Sequence, residues 1–210
     1  SSLASDGTMT TVTYTELNAR VHDIARALAA QGIASGGRVA LYLPDCPVVV
    51  EFMLACARLG ITIVPIPVRF TAEVTAEIIS DSGASLLVVS LDTDPASYGD
   101  RVRSVMAALP DVPVVNTGSE SAGRVTSLAE FVGSASGEPV APVSVPAEHP
   151  LVIIYANSAS GVPRGSVIPT GGFLVQSLAT SLALFEYAPD TTAKNVFCTV
   201  DLASAAGQCY

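Results

Sequence analysis

Residues 38–90 read RVALYLPDCPVVVEFMLACARLGITIVPIPVRFTAEVTAEIISDSGASLLVVS, and this stretch decides the fold. Arg38 to Leu43 is an apolar run short enough for a strand, and it leads into Pro44-Asp45. Asp45 is placed to cap an apolar helix that runs to Leu59, where Gly60 stops it. Ile61 to Pro67 reads as a second strand, Thr71 to about Ser82 as a second helix ended by Gly83, and Leu86 to Ser90 as a third strand. Each crossover has about a dozen residues or more, and the strands are apolar on both faces, which favours parallel strands covered by helices over hairpins. The expected fold is therefore α/β and layered, a mainly parallel sheet flanked by helices.

The same rhythm extends outward. Thr13-Tyr14-Thr15-Glu16 has the form of a capping box, and Leu17, Val21, Ile24, Ala25 and Leu28 then fall on one helical face before Gly32. Downstream, a helix is predicted from about Tyr98 to Leu109, a strand over Val112 to Asn116 and a short helical piece over Leu128 to Val132. Residues 133–150, GSASGEPVAPVSVPAEHP, are rich in Gly, Ser, Ala and Pro without periodicity and read as a linker. The pattern restarts with a strand over Leu151 to Ala156, a loop over Asn157 to Gly165, a helix over Gly171 to Phe185 and a strand over Asn195 to Val200. The expected division is a first sheet unit over 1–132, the linker 133–150, and the start of a second sheet unit over 151–210. No internal repeat has a fixed period.

Composition narrows the partners. Of 210 residues half are hydrophobic and 14% charged, enough to build a sizeable core. A formal charge of -9 gives no basic patch for nucleic acid or an anionic membrane, but it leaves room for a nucleotide held by backbone N–H groups and a magnesium ion. Cys46, Cys56, Cys198 and Cys209 form no C-x-x-C pair and lie mostly in apolar runs, so reduced thiols and a cytoplasmic location are expected. No stretch is long and apolar enough to span a membrane, and nothing at the start reads as a targeting signal.

The segment most informative about function is Tyr155-Ala156-Asn157-Ser158-Ala159-Ser160-Gly161-Val162-Pro163-Arg164-Gly165. A loop of small and hydroxyl residues after a buried strand can wrap N–H groups and hydroxyls around phosphate oxygens, with the Arg164 cation balancing their charge. On composition alone it is also an ordinary turn, and it is no Walker A loop, since G-x-x-x-x-G-K-[ST] is absent.

The loop resembles the signature Y-T-S-G-[ST]-T-G-x-P-K-G-V of the adenylate-forming superfamily, which contains acyl-CoA synthetases, luciferases and peptide-synthetase adenylation domains. Tyr155, Gly161, Pro163, Gly165 and, one place displaced, Val167 match it. Thr13 to Asn18 is similar to T-Y-x-E-L-N, Gly37 to Pro44 to G-D-R-V-A-I-Y-L-P, and Met53 to Gly60 to M-L-A-C-A-R-I-G. The last, with Pro169 to Phe173 (similar to H-T-H-G-G-Y) and Phe197 to Asp201 (similar to W-C-T-A-D), resembles the acetyl- and propionyl-CoA synthetase branch. The resemblance implies the N-terminal part of the large domain of an AMP-forming ligase. Such a ligase joins a small carboxylic acid to ATP with Mg2+, releases pyrophosphate, and passes the acyl group to coenzyme A or a carrier-protein phosphopantetheine. It implies that Ala156, Asn157, Ser158, Ala159, Ser160, Gly161, Arg164 and Gly165 form the nucleotide site, and it carries no catalytic side chain or metal ligand onto this stretch.

The sequence also departs from the family. Ala156 stands for a threonine, Ser158 for the central glycine, Ala159 for a hydroxyl residue and Arg164 for a lysine, while Ser204 and Gln208 replace an aromatic residue and a histidine. The family's later adenine and ribose motifs and its catalytic lysine fall outside these residues. The implied role is the front of a ligase, inactive without its C-terminal portion. The alternative is a non-catalytic adenylation-like module with a structural or docking role, for example in a polyketide or peptide synthetase. His22, His149 and the aspartates Asp81, Asp92, Asp94, Asp100 and Asp111 read as solvated, half-buried or capping groups. Ser158 and Ser160 lack the G-x-S-x-G elbow of a nucleophile.

Overall fold

The computed structural model describes residues 2–3, 9–92, 96–138, 140–156, 163–184, 200–204 and 207. A short antiparallel ribbon, β1 (Ser2–Leu3) with β2 (Met9–Thr10), precedes α1 (Tyr14–Ala30). The capping box at the start of α1 is closed on both sides. Thr13 N donates to Glu16 Oε2 at 2.8 Å and Glu16 N donates to Thr13 Oγ1 at 3.2 Å, so orphan amides of the first turn find acceptors.

The α/β alternation then follows: β3 (Arg38–Leu41), α2 (Pro47–Leu59), β4 (Thr62–Pro65), α3 (Ala72–Ser82), β5 (Leu86–Val89), α4 (Ala96–Ala108) and β6 (Val114–Asn116). Gly60 (φ +66°) and Gly83 (φ +63°) end α2 and α3 in the left-handed conformation, where a side chain is strained. The chain continues through β7 (Val125–Ser127), α5 (Leu128–Gly133), β8 (Pro150–Ala156), β9 (Arg164–Pro169) and α6 (Thr170–Leu184). One sheet, in the order β7-β6-β5-β3-β4-β8-β9, holds every described strand after the ribbon. All neighbours in it are parallel except β8 and β9.

Helices cover both faces. Ile24 and Leu28 of α1, Phe52 and Cys56 of α2 and Phe131 of α5 pack with Val39, Leu41, Val88 and Val152 on one side. Ile78 and Ile79 of α3 and Val102 and Val105 of α4 pack with Ala40, Val64, Leu87 and Ile153 on the other. Each such side chain, buried fully, contributes roughly 1.5–3 kcal/mol from its apolar surface. The parallel strands are therefore apolar on both faces, as read from the sequence.

Three details differ from the sequence reading. Asp45 does not cap α2. Cys46 holds the N-cap position with no side-chain cap bond and Pro47 starts the helix, its fixed φ suiting the first position, while Asp45 Oδ1 accepts from Leu202 N at 2.9 Å. Second, β8 does not open another sheet. Its residue Val152 pairs with Ile63, so the strand after residues 133–150 extends the first sheet. Third, β7 and the edge strand β9 were not anticipated. The expected strand over 195–200 lies, apart from Val200, outside the described residues.

The segment between α5 and β8 is stitched to the end of α2 and the start of β4. Arg58 Nε donates to Val140 O at 3.0 Å, Val143 N donates to Arg58 O at 2.9 Å and Thr62 Oγ1 donates to Pro150 O at 3.1 Å. Hydrogen bonds to main-chain atoms need no particular side chain at the receiving residue, which is why the stretch lacks periodicity in sequence.

Candidate functional site

β8 and β9 form an antiparallel hairpin whose register pairs Tyr155 with Gly165 and Ala156 with Arg164. This brings Ala156, Arg164 and Gly165 together as the two stems of the loop. Asn157, Ser158, Ala159, Ser160 and Gly161 lie outside the described residues. Because β8 runs parallel to β4, the loop leaves at the carboxyl edge of the parallel strands, the edge at which open α/β sheets bind their ligands.

Ala156, Arg164 and Gly165 are exposed, Pro163 beside them is buried, and Arg164 makes no ion pair among the described residues. Its five donors are thus available to an anion. Ala156 offers a methyl group where a threonine would bring a hydroxyl, so the stem supplies a main-chain and a guanidinium contact but no hydroxyl at that position.

The segment 200–204 reaches the same edge from the far end of the sequence. Asp201 Oδ2 accepts from Arg69 Nη1 at 2.6 Å, just beyond β4, and Leu202 N donates to Asp45 Oδ1, just beyond β3. Asp201 also accepts from Ala203 N at 2.8 Å, and Ser204 Oγ donates to the Asp201 carbonyl at 2.7 Å, a local turn fixed at both ends. Ser204 is therefore held in place near the mouth. Gln208 lies outside the described residues.

Sequence reasoning set Asp81 aside as a solvated helix-end group, yet its Oδ2 accepts from Tyr155 Oη at 2.5 Å. Burial and the acceptor at Asp81 push the Tyr155 phenol up, so it stays protonated and donates. No local signal marks this pair, because the two residues are 74 positions apart. His149, read as solvated or half-buried, is half-buried, with Nε2 against Gly60 O at 2.8 Å.

Other features carry less chemistry. Cys56 is buried and Cys46 partly so; both are free thiols, and burial pushes each thiol up and away from the reactive thiolate. Among the described residues no group of His, Cys, Asp and Glu could hold a metal. A cleft of about 400 Å³ lined by Gln31, Ser35, Ser85, Thr126 and Phe131 lies at the opposite, amino edge of the strands and has no charged side chain on its wall. No helix among the described residues is long and apolar enough to cross a membrane.

Comparison with known proteins places this doubly wound sheet and its hairpin loop in a class. The AMP-binding enzyme family matches residues 3–210, and the chain belongs to that family. The chain is 36% identical to an acetyl-coenzyme A synthetase of Mycobacterium tuberculosis over 97% of its own length and 33% of the relative's. It is 34% identical to the acetyl-coenzyme A synthetase of Streptomyces avermitilis, covering 95% of itself and 32% of that protein. The crystal structure of a Brucella canis acyl-CoA synthetase superposes with a TM-score of 0.82 at 22% identity, covering 99% of this chain and 36% of that one, and shows the shared fold. The chain spans about a third of the length of the curated relatives it matches.

Proposed function

We propose that these residues are the phosphate-loop part of an AMP-forming acid–thiol ligase, which turns a small carboxylic acid and ATP into an acyl adenylate and pyrophosphate and then into an acyl thioester. One observation carries the reading. A hairpin in register brings its two stems, Ala156 and Arg164, together at the carboxyl edge of the sheet, where Arg164 makes no ion pair among the described residues and the 200–204 segment is anchored to the same edge. When bound, ATP with Mg2+ would supply the adenylyl group that the carboxylate takes up as pyrophosphate leaves. The chain's own part is to hold phosphate oxygens with main-chain N–H groups and Arg164, fixing the leaving charge in place.

Two thirds of the relatives' length has no counterpart here, so the rest of the site belongs to a further portion of the ligase. We place that portion against α6 and β9. There Val167, Leu174, Val175, Leu178 and Leu182 are exposed at 47–70% and α6 carries no charged residue, a surface too apolar to be left facing water. Without it the chain is inactive. The charge of -9 argues against nucleic acid, and the free, buried Cys56 agrees with a cytoplasmic setting.

A second reading has support in the loop itself. Ala156, Ser158 and Ala159 each depart from the family's signature, which favours a non-catalytic adenylation-like module that docks in a larger synthetase. Fusing residues 1–210 to the matching remainder of the Mycobacterium tuberculosis relative separates the two. Adenylate formation by the fusion supports the ligase, and a fusion that folds yet stays silent, even with the loop restored to the signature, supports the module.

A further inference from the structure

Tyr155 is the side chain by which the loop end of the β8–β9 hairpin reaches the helix layer beneath the sheet. Its ring is buried, 6% exposed, and its hydroxyl donates to Asp81 Oδ2 at the end of α3. On the other strand its partner is Gly165. A Cβ on Gly165 would come within 2.8 Å of Ile153 Cγ2, 2.9 Å of Tyr155 Cζ and 3.1 Å of Tyr155 Oη. The backbone at Gly165 needs no special φ, so it is space for the phenol, rather than conformation, that calls for a glycine.

We propose that Asp81 is a positioning residue for the loop. Through Tyr155 of β8, whose ring lies over Gly165 of β9, it forms a latch from α3 to the hairpin that holds the two stems of the loop in register. Among the described residues β9 is an edge strand, bonded on one side only, so its register depends on what ties it to β8 and the layer below. The charge-assisted bond to Asp81 anchors β8 to α3 and fixes the phenol ring over Gly165, so β9 is held by a packed ring in a direction the backbone ladder does not supply. The step from the latch to nucleotide binding rests on the ligase reading above; the latch itself does not.

The test uses the full chain with Asp81→Ala, Tyr155→Phe, Gly165→Ala and the Asp81→Ala/Gly165→Ala pair, read by amide hydrogen exchange and by calorimetry with MgATP. Losing a hydrogen bond to a charged group should speed exchange of the Gly165 to Ile168 amides about tenfold and leave Val39 to Leu41 of the central strand unchanged. The double variant should exchange no faster than Gly165→Ala alone, since both changes act through the phenol. MgATP affinity should fall with the same rank order. Unchanged exchange at β9 in both Asp81→Ala and Tyr155→Phe overturns the latch whatever the nucleotide does, and MgATP binding that persists at full strength while β9 loosens overturns the positioning role. If the unmodified chain takes no MgATP but β9 loosens as stated, the latch stands and the nucleotide reading of the loop falls.

Discussion

His149 Nε2 lies 2.8 Å from the carbonyl oxygen of Gly60, so a residue at the end of the Pro-rich segment is bonded to the residue that ends α2. A carbonyl only accepts, which puts the proton on Nε2. Around it, Thr170 N and Oγ1 both donate to His149 O at 2.9 Å, tying the start of α6 to the same point. His149→Ala should cost about 1 kcal/mol in a urea titration. Gly60→Ala should cost more, because its Cβ would meet Ser35 Oγ at 2.7 Å and Val145 Cγ1 at 2.9 Å with φ at +66°. Equal midpoints for Gly60→Ala and the parent would show that the junction is not built as described.

Arg20 Nη1 donates to Glu51 Oε1 at 3.0 Å, and Glu51 is 3% exposed while Arg20 is half-exposed. Removing the cation leaves a buried carboxylate without its partner, whereas replacing the carboxylate with an apolar side chain of similar size removes the need for one. Arg20→Met should therefore destabilise by about 1–3 kcal/mol, and Glu51→Leu by less. Thermal or urea unfolding of the two single variants checks the order, and Glu51→Leu emerging as the worse of the two would reverse it.

The capping boxes predict an acid limb. The Thr13 amide and hydroxyl hold the Glu16 carboxyl below its usual 4.5, and the Ser121 hydroxyl, then the Ser127 amide and hydroxyl, do the same for Glu130. A carboxyl lowered in the folded state binds fewer protons there than in the unfolded chain, so its contribution is present above 4.5 and is lost as pH falls through the folded value. Thr13→Ala and Ser127→Ala should each lower the melting temperature at neutral pH and have a smaller effect in acid. Melting curves at several pH values decide it, and a loss that grows as the pH drops would contradict the assignment.

How far the sequence could be read depended on whether a feature was local. The Thr13 capping box, the glycine stops at Gly60 and Gly83 and the apolar strands around Val39, Ile63 and Val88 each declare themselves within a few residues, and the α/β fold followed from them. Asp45 misled because capping propensity is a local preference that Pro47 at the helix start and the distant Leu202 amide outweighed. β9 went unread because RGSVIP has no clean alternation, being exposed along most of its length. Of the candidate site, the sequence points to the stems Arg164 and Gly165, which the hairpin brings together, while Asp81 gave no sign because its partner is 74 residues away.

Restoring the loop should strengthen nucleotide binding. Thr at position 156 and Thr at 159 each add a hydroxyl donor, and Gly at 158 frees the backbone from a side chain. Calorimetry should show high-micromolar or weaker MgATP binding for the parent chain and binding tighter by about tenfold for the Ala156→Thr, Ser158→Gly, Ala159→Thr combination. Tight binding by the unmodified chain would refute the view that these substitutions weaken the site.

The most direct measurement is acid-dependent exchange of labelled pyrophosphate into ATP by the 210-residue chain, with acetate, propionate and longer acids at millimolar concentration and magnesium present. Exchange demands nucleotide, acid and pyrophosphate aligned at once, and a misplacement of about an ångström costs about two orders of magnitude. The chain offers the loop stems, Arg164 and the anchored Asp201 segment, about a third of the length of its relatives. The expected result is no acid-dependent exchange above a protein-free control for the chain, and exchange once the chain is joined to the matching two thirds of an acetyl-coenzyme A synthetase. Exchange by the chain alone that survives repurification and disappears on deleting residues 157–165 would contradict the account.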